Sequence, residues 1–160
     1  MDPETLDGDA SPVTARGPSA LVFAYDAVWV ASAQAVVQQF SPDTYETGPV
    51  APGTTVGPDP SGIAAGRGAI WVACREDDSV WRIPAEGFGS VRQITVGDGP
   101  SAVAVGAGAV WVANEDDGTV SRIDPEPPYE VKTIEVGNAP AGIAVWGGRV
   151  WVSVQARLPT

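Results

Sequence analysis

Gly97-Asp98-Gly99-Pro100-Ser101-Ala102-Val103-Ala104-Val105-Gly106-Ala107-Gly108-Ala109-Val110-Trp111-Val112-Ala113 has a counterpart on each side of it. Upstream stands Gly57-Pro58-Asp59-Pro60-Ser61-Gly62-Ile63-Ala64-Ala65-Gly66-Arg67-Gly68-Ala69-Ile70-Trp71-Val72-Ala73, and downstream Gly137-Asn138-Ala139-Pro140 leads to Val150-Trp151-Val152-Ser153. A worn copy runs from Gly17-Pro18-Ser19-Ala20 to Val28-Trp29-Val30-Ala31. Trp29, Trp71, Trp111 and Trp151 therefore recur at intervals of 42, 40 and 40 residues, each 11 residues after a proline. A fixed period of roughly 40 residues marks a repeat architecture.

Within one period the pattern is that of four short strands. Val103-Ala104-Val105 and Val110-Trp111-Val112-Ala113 are apolar runs, and the glycines between them, Gly106 and Gly108, are expected to supply the positive φ of a tight turn. Glu115-Asp116-Asp117-Gly118 forms an acidic turn before Thr119-Val120-Ser121-Arg122-Ile123. Asp124-Pro125 stops that strand, and Val131-Lys132-Thr133-Ile134-Glu135-Val136 is the fourth. The first two strands are apolar throughout, as strands covered on both faces must be, whereas the last two alternate as half-exposed strands do. A helical reading fails, because 19 glycines and 15 prolines interrupt every candidate window. The expected fold is all-β: a β-propeller of four-stranded blades, with about 3.5 blades present, forming a partial propeller or a self-associating unit. The blade units are expected at about 17–56, 57–96, 97–136 and, incomplete, 137–160, within a repeat region 13–160. Val13-Thr14-Ala15 is expected to be an outer strand ahead of the first unit, and the acidic stretch 1–12 a disordered lead-in.

Composition removes several chemistries. The net charge is −11, with 20 acids against 9 bases, which makes nucleic acid a poor partner. No histidine is present, so His bases, His-based triads and His metal ligands are excluded. Cys74 is the single cysteine; it can form no internal disulfide and is expected to be a small buried filler. No secretory h-region opens the chain, and the weakly polar run from Ala20 to Val37 contains Asp26 and Gln34, so membrane insertion is not expected.

The Gly-x-x-Pro-Ser/Ala turn, the Ala-Val-Trp-Val-Ala strand and Asp117-Gly118-Thr119-Val120-Ser121-Arg122-Ile123-Asp124-Pro125 resemble the YVTN-type repeat. That repeat belongs to bacterial propellers related to virginiamycin B lyase and to many extracytoplasmic sensor domains. The resemblance, from Gly17 to Ser153, implies a propeller of about seven blades and a periplasmic or cell-surface location. It also implies a binding role, in some relatives fused to kinases or transcriptional regulators. The lyase chemistry of that family uses a histidine base and a metal ion, and a chain without histidine does not inherit it.

Up-and-down connectivity puts the loops entering a blade and the turns between its second and third strands on one face. That face is expected to gather Asp59, Asp98 and Asn138 with Glu76, Asp77, Asp78, Glu115, Asp116 and Asp117, with Ser61 and Ser101 near the axis. The candidate ligand-binding residues are Asp59, Ser61, Asp77, Asp98, Ser101, Glu115, Asp116 and Asp117, with a small molecule, sugar or peptide as partner. Acidic turns also simply keep a Gly-rich protein soluble. Glu115-Asp116-Asp117-Gly118 lacks the spacing of a calcium loop, and no metal, cofactor or catalytic residue is expected.

The leading functional expectation is a non-enzymatic binding, sensor or interaction module. The alternatives are a lyase- or hydrolase-like enzyme without a histidine base, using two acids of that face, and an assembly unit joined through open blade faces. Trp71 and Trp111 are expected to be buried between neighbouring units, and Trp29 and Trp151 to have one packed face each. Trp81 and Trp146 break the repeat, replacing Ser121 and Gly106 respectively.

Overall fold

The computed structural model describes residues 17–41, 53–86 and 89–155. The expected lead-in 1–12, the strand at Val13-Thr14-Ala15 and the last residues of the fourth unit lie outside that range. Fourteen strands follow one another in the described residues: β1 (Pro18–Ala24), β2 (Ala27–Ser32), β3 (Val36–Phe40), β4 (Thr54–Thr55), β5 (Pro60–Gly66), β6 (Ala69–Cys74), β7 (Ser79–Pro84), β8 (Arg92–Thr95), β9 (Pro100–Gly106), β10 (Ala109–Asn114), β11 (Thr119–Ile123), β12 (Val131–Glu135), β13 (Gly142–Trp146) and β14 (Arg149–Ser153). They form three four-stranded antiparallel sheets in sequence order and one two-stranded sheet, β13-β14. This is the expected propeller of about 3.5 blades. The innermost strands β1, β5, β9 and β13 lie side by side.

Each blade turns from its first to its second strand through two residues of positive φ. These are Tyr25-Asp26, Arg67-Gly68, Ala107-Gly108 and Gly147-Gly148. Two positive φ values in a two-residue loop is the type I′ geometry whose twist suits a hairpin. The glycine at Gly106 thus has a different purpose from the one its position suggests. A Cβ there would lie 2.7 Å from Val145 of the next blade, and at Gly66 it would lie 2.5 Å from Val105. Glycine here permits close approach of two blades, not a turn.

The two apolar interfaces explain the rest of the pattern. Between the first two blades, Ala27, Trp29, Ala31 and Val37 meet Ile70, Val72, Cys74 and Ile83. Between the second and third, Ala69, Trp71, Ala73 and Val80 meet Val103, Val110, Val112 and Ile123. Alternation of side chains along each strand gives every blade a rear face of branched aliphatics and a forward face of tryptophan and alanine. Each tryptophan is therefore covered by the blade that follows it. Trp71 is fully buried and Trp29 is 5% exposed, while Trp151, followed by no described blade, is 56% exposed. Trp29 is thus buried despite standing in a terminal unit, and Trp111, behind a two-strand neighbour, is only partly covered. The expected symmetry between the two ends fails because the side chains all point one way.

The third strands are more buried than their alternating sequence suggests, since neighbouring blades flank them. In the third blade the polar positions of that strand are met by its neighbour: Asn114 Nδ2 donates to Thr119 Oγ1 and Ser121 Oγ, both at 2.9 Å. Cys74 occupies the position of Asn114 and is fully buried. Burial, then the charge of Asp77, pushes its thiol up to about 12, so it is a packing residue and a poor nucleophile.

Candidate functional site: the acidic loop face

Loops entering each blade and turns between second and third strands share one face, tied by backbone bonds. Arg75 N–H donates to Asp59 O and Glu115 N–H to Gly99 O, both at 2.9 Å. Most of the carboxylates gathered there are already engaged. Arg75 of the second blade reaches across to the third, with Nη1 2.6 Å from Glu115 Oε2 and Nη2 2.6 Å from Asp116 Oδ1. Asp117 accepts from the backbone N–H and the hydroxyl of Thr119, at 3.0 and 2.6 Å, and from Asp98 N–H at 3.0 Å. Asp77 repeats that turn in the second blade, accepting from Ser79 Oγ at 2.5 Å and from Gln93 Nε2 at 3.1 Å. Asp78 accepts from Gly99 N–H, 2.9 Å away in the next blade.

Glycine lets these carboxylates sit directly on backbone. A Cβ at Gly57 would collide with the carboxylate of Asp77, and one at Gly99 with that of Asp116. The acids of the turns thus close the end of each blade by satisfying N–H groups that the strands leave open.

Ser61 and Ser101 lie near the axis, but their hydroxyls are turned to the scaffold. Ser61 Oγ is 2.6 Å from Pro100 O and 3.2 Å from Ala73 O. Ser101 Oγ is 3.1 Å from Pro140 O and 3.3 Å from Ala113 O. Each stitches one inner strand to the next. The side chains of Asp59, Glu76 and Asp98 are exposed and, among the described residues, accept no hydrogen bond. Of the eight candidates, then, two hydroxyls stitch blades, four carboxylates hold or bridge turns, and Asp59 and Asp98 stay open to solvent. Among the described residues, no three acid, cysteine or histidine side chains are grouped as metal ligands. No helix among the described residues is long and apolar enough to cross a membrane.

The face opposite the acidic loops carries the proline-rich connection Pro125-Glu126-Pro127-Pro128-Tyr129. There the loop 124–130 folds over the second blade, closed by Asp124 N–H to Glu130 O at 2.9 Å. It sets Tyr129 beside Arg82, whose guanidinium carbon lies 5.8 Å from the ring centroids of both Tyr129 and Trp71. Arg122 repeats the stack on Trp111 at 5.7 Å. The signal in the sequence was the arginine placed 11 residues after both Trp71 and Trp111.

No protein-family model matches the chain, and no curated protein matches it in sequence. Solved structures do match. Hydrazine synthase of Kuenenia stuttgartiensis aligns with a TM-score of 0.70 at 19% identity, over 79% of this chain and 38% of that one. A functionally unknown protein from Desulfotomaculum acetoxidans aligns at 0.69 and 16% identity, over 86% and 49%. A catalytically inactive histidine-to-alanine variant of virginiamycin B lyase from Staphylococcus aureus, solved with quinupristin, aligns at 0.64 and 20% identity, over 82% and 47%. The chain spans less than half the length of each of these proteins. At such identities the likeness is one of fold: this chain has the β-propeller architecture of the virginiamycin B lyase-like proteins and related propellers.

Proposed function

We propose that the chain is a non-enzymatic propeller module that binds a cationic group, such as an amine or a basic peptide, on its acidic loop face. The observation behind this reading is the exposed pair Asp59 and Asp98. They stand on equivalent loops entering adjacent blades, Asp59 one residue and Asp98 two residues before the proline, and each loop is fixed by backbone bonds to the adjoining turn. Asp59 holds a positive φ of 49°, so its placement is set by the loop and not by chance rotation of a free chain. Like-signed charges arrayed around a low-dielectric surface concentrate counter-ions. Glu76 extends the same edge, and the Arg75 latch keeps the two blades in register beneath it. The lack of any histidine weighs against a reaction of the lyase kind. By resemblance, the module would work outside the cytoplasm.

The test is calorimetric titration with a lysine-rich peptide at low salt and again at high salt. The expected result is binding that weakens with salt and falls severalfold in Asp59→Asn/Asp98→Asn. Binding unaffected by that double variant would overturn the reading. So would a purified turnover activity that is lost on removing one acid of the face.

A further inference from the structure

We propose that the cleft between the second and third blades, on the face opposite the acidic loops, binds a phosphate group. Three of the nine basic residues of a chain with net charge −11 converge there. Arg67 comes from the first hairpin turn of the second blade, Arg82 from β7 and Arg92 from β8, and they line a cavity of about 420 Å³ with Ser90, Glu126 and Tyr129. Arg82 and Arg92 are direct cross-strand partners. Like charges placed directly opposite one another destabilise a sheet unless something lies between them. No carboxylate is paired with them: among the described residues the ion pairs are those of Arg75. Glu126, the one acid of the lining, makes no ion pair.

A second observation is independent of this gathering. Arg82 Nε is buried and has no hydrogen-bond acceptor. The rings of Trp71 and Tyr129 flank the guanidinium and satisfy its charge in part, but a ring offers its in-plane N–H groups no oxygen. An N–H that the fold leaves without an acceptor is one that water or an oxyanion drawn to the guanidinium can satisfy. The guanidinium group presents N–H donors in a fork that fits oxyanions, and three forks offer more donors than a two-oxygen carboxylate can take up. A tetrahedral phosphate, with more acceptor oxygens and a charge near −2, matches them better. A polyanion such as nucleic acid is disfavoured by the negative charge of the rest of the chain, which a single small group in a cleft largely escapes.

The third blade supplies an internal control. Arg122 and Lys132 pair across β11 and β12 over Trp111, but Ala107 stands where Arg67 does, and no described loop brings a tyrosine to Arg122. That stack is the scaffold feature without the site.

The experiment is titration of the chain with inorganic phosphate at constant ionic strength, followed by calorimetry and by the unfolding midpoint. Phosphoserine and acetate are run in parallel. Phosphate is expected to saturate at millimolar concentration and to raise the midpoint. Arg92→Gln and Arg67→Gln, both at exposed positions, are expected to weaken it by about tenfold each, the scale of losing one charge-assisted contact. Arg122→Gln should leave it unchanged. Phosphoserine binding as well as phosphate would place the group on a phosphomonoester, and weaker binding would place it on the free ion. Three outcomes would overturn the proposal: no saturation, equal binding of acetate, or a phosphate effect that survives in Arg67→Gln/Arg92→Gln. Near-ultraviolet circular dichroism of each variant establishes that the blades still pack.

Discussion

The interface between the second and third blades has two rims of opposite habit. On the acidic rim, Arg75 closes on Glu115 and Asp116, while Asp78 reaches Gly99 N–H of the next blade. On the other rim, Arg82 and Arg92 face each other with no ion-paired carboxylate among the described residues, and one buried N–H has no acceptor. The acidic rim ties five of its carboxylates, Asp77, Asp78, Glu115, Asp116 and Asp117, into contacts within the protein and leaves Asp59, Glu76 and Asp98 open. The rim that attracts no notice leaves its charges open. An excess of one charge in the composition therefore points to one rim and hides the other.

Trp71 lies between the rims, so its removal should disturb both. Trp71→Ala is expected to cost about 3–5 kcal/mol in chemical denaturation, as for a large aromatic deleted from a core. Trp151→Ala, at the same repeat position but 56% exposed, should cost under about 1 kcal/mol. Equal losses would mean that something covers the last blade as fully as the third covers the second.

The pH dependence probes the ground beneath the acidic rim. The Cys74 thiol is pushed up to about 12 from its ordinary 9.0. The folded protein thus favours the protonated form, and the stability this contributes is fully present below pH 9 and lost as pH rises toward 12. The loss should approach a few kcal/mol at the alkaline end, because each tenfold gain in proton affinity on folding is worth about 1.4 kcal/mol. Cys74→Ala should flatten that slope. A steep slope that persists in the variant would assign the effect to other groups.

Arg75→Met tests the latch. With side chains 33%, 28% and 56% exposed, these pairs are screened, and the expected cost is about 1 kcal/mol or less, fading in high salt. The smallest effect is of opposite sign. Arg92→Gln relieves the repulsion with Arg82 and should be neutral or stabilise by a few tenths of a kcal/mol in phosphate-free buffer. A clear destabilisation would show that Arg92 is held by the scaffold.

The fold was legible because its signals are local and repeated. Four Trp-Val pairs, four hairpin turns and one acidic turn pattern each specify a piece of backbone, and the period sums them. What could not be read depends on which neighbour a side chain meets. Gly106 looked like a turn residue, and only the approach of Val145 shows why it must be small. Trp29 looked half-covered, and the common direction of the tryptophans buries it. The acidic face was legible as a location, but the engagement of Asp77, Asp117 and the two serines arises from contacts between loops and between blades. The arginine cleft was hidden because Tyr129 reaches it from a different repeat.

Trp146 has a bearing on how such chains can be lengthened. It stands at the position of Gly66 and Gly106, where the next blade passes too close to admit even a methyl group, and it is 79% exposed. The first blade offers the complementary rear face, with Leu21 67% and Phe23 63% exposed at the positions of Ile63 and Ala65. A blade with the rear face of the first, set against Trp146, would put Phe23 against an indole, where each internal junction has glycine or alanine. Such a joint would stand open at the inner rim, whereas Trp146→Gly would let it close as the internal joints do. In the grammar of the repeat this residue acts as punctuation: it sets how closely a following blade can stand.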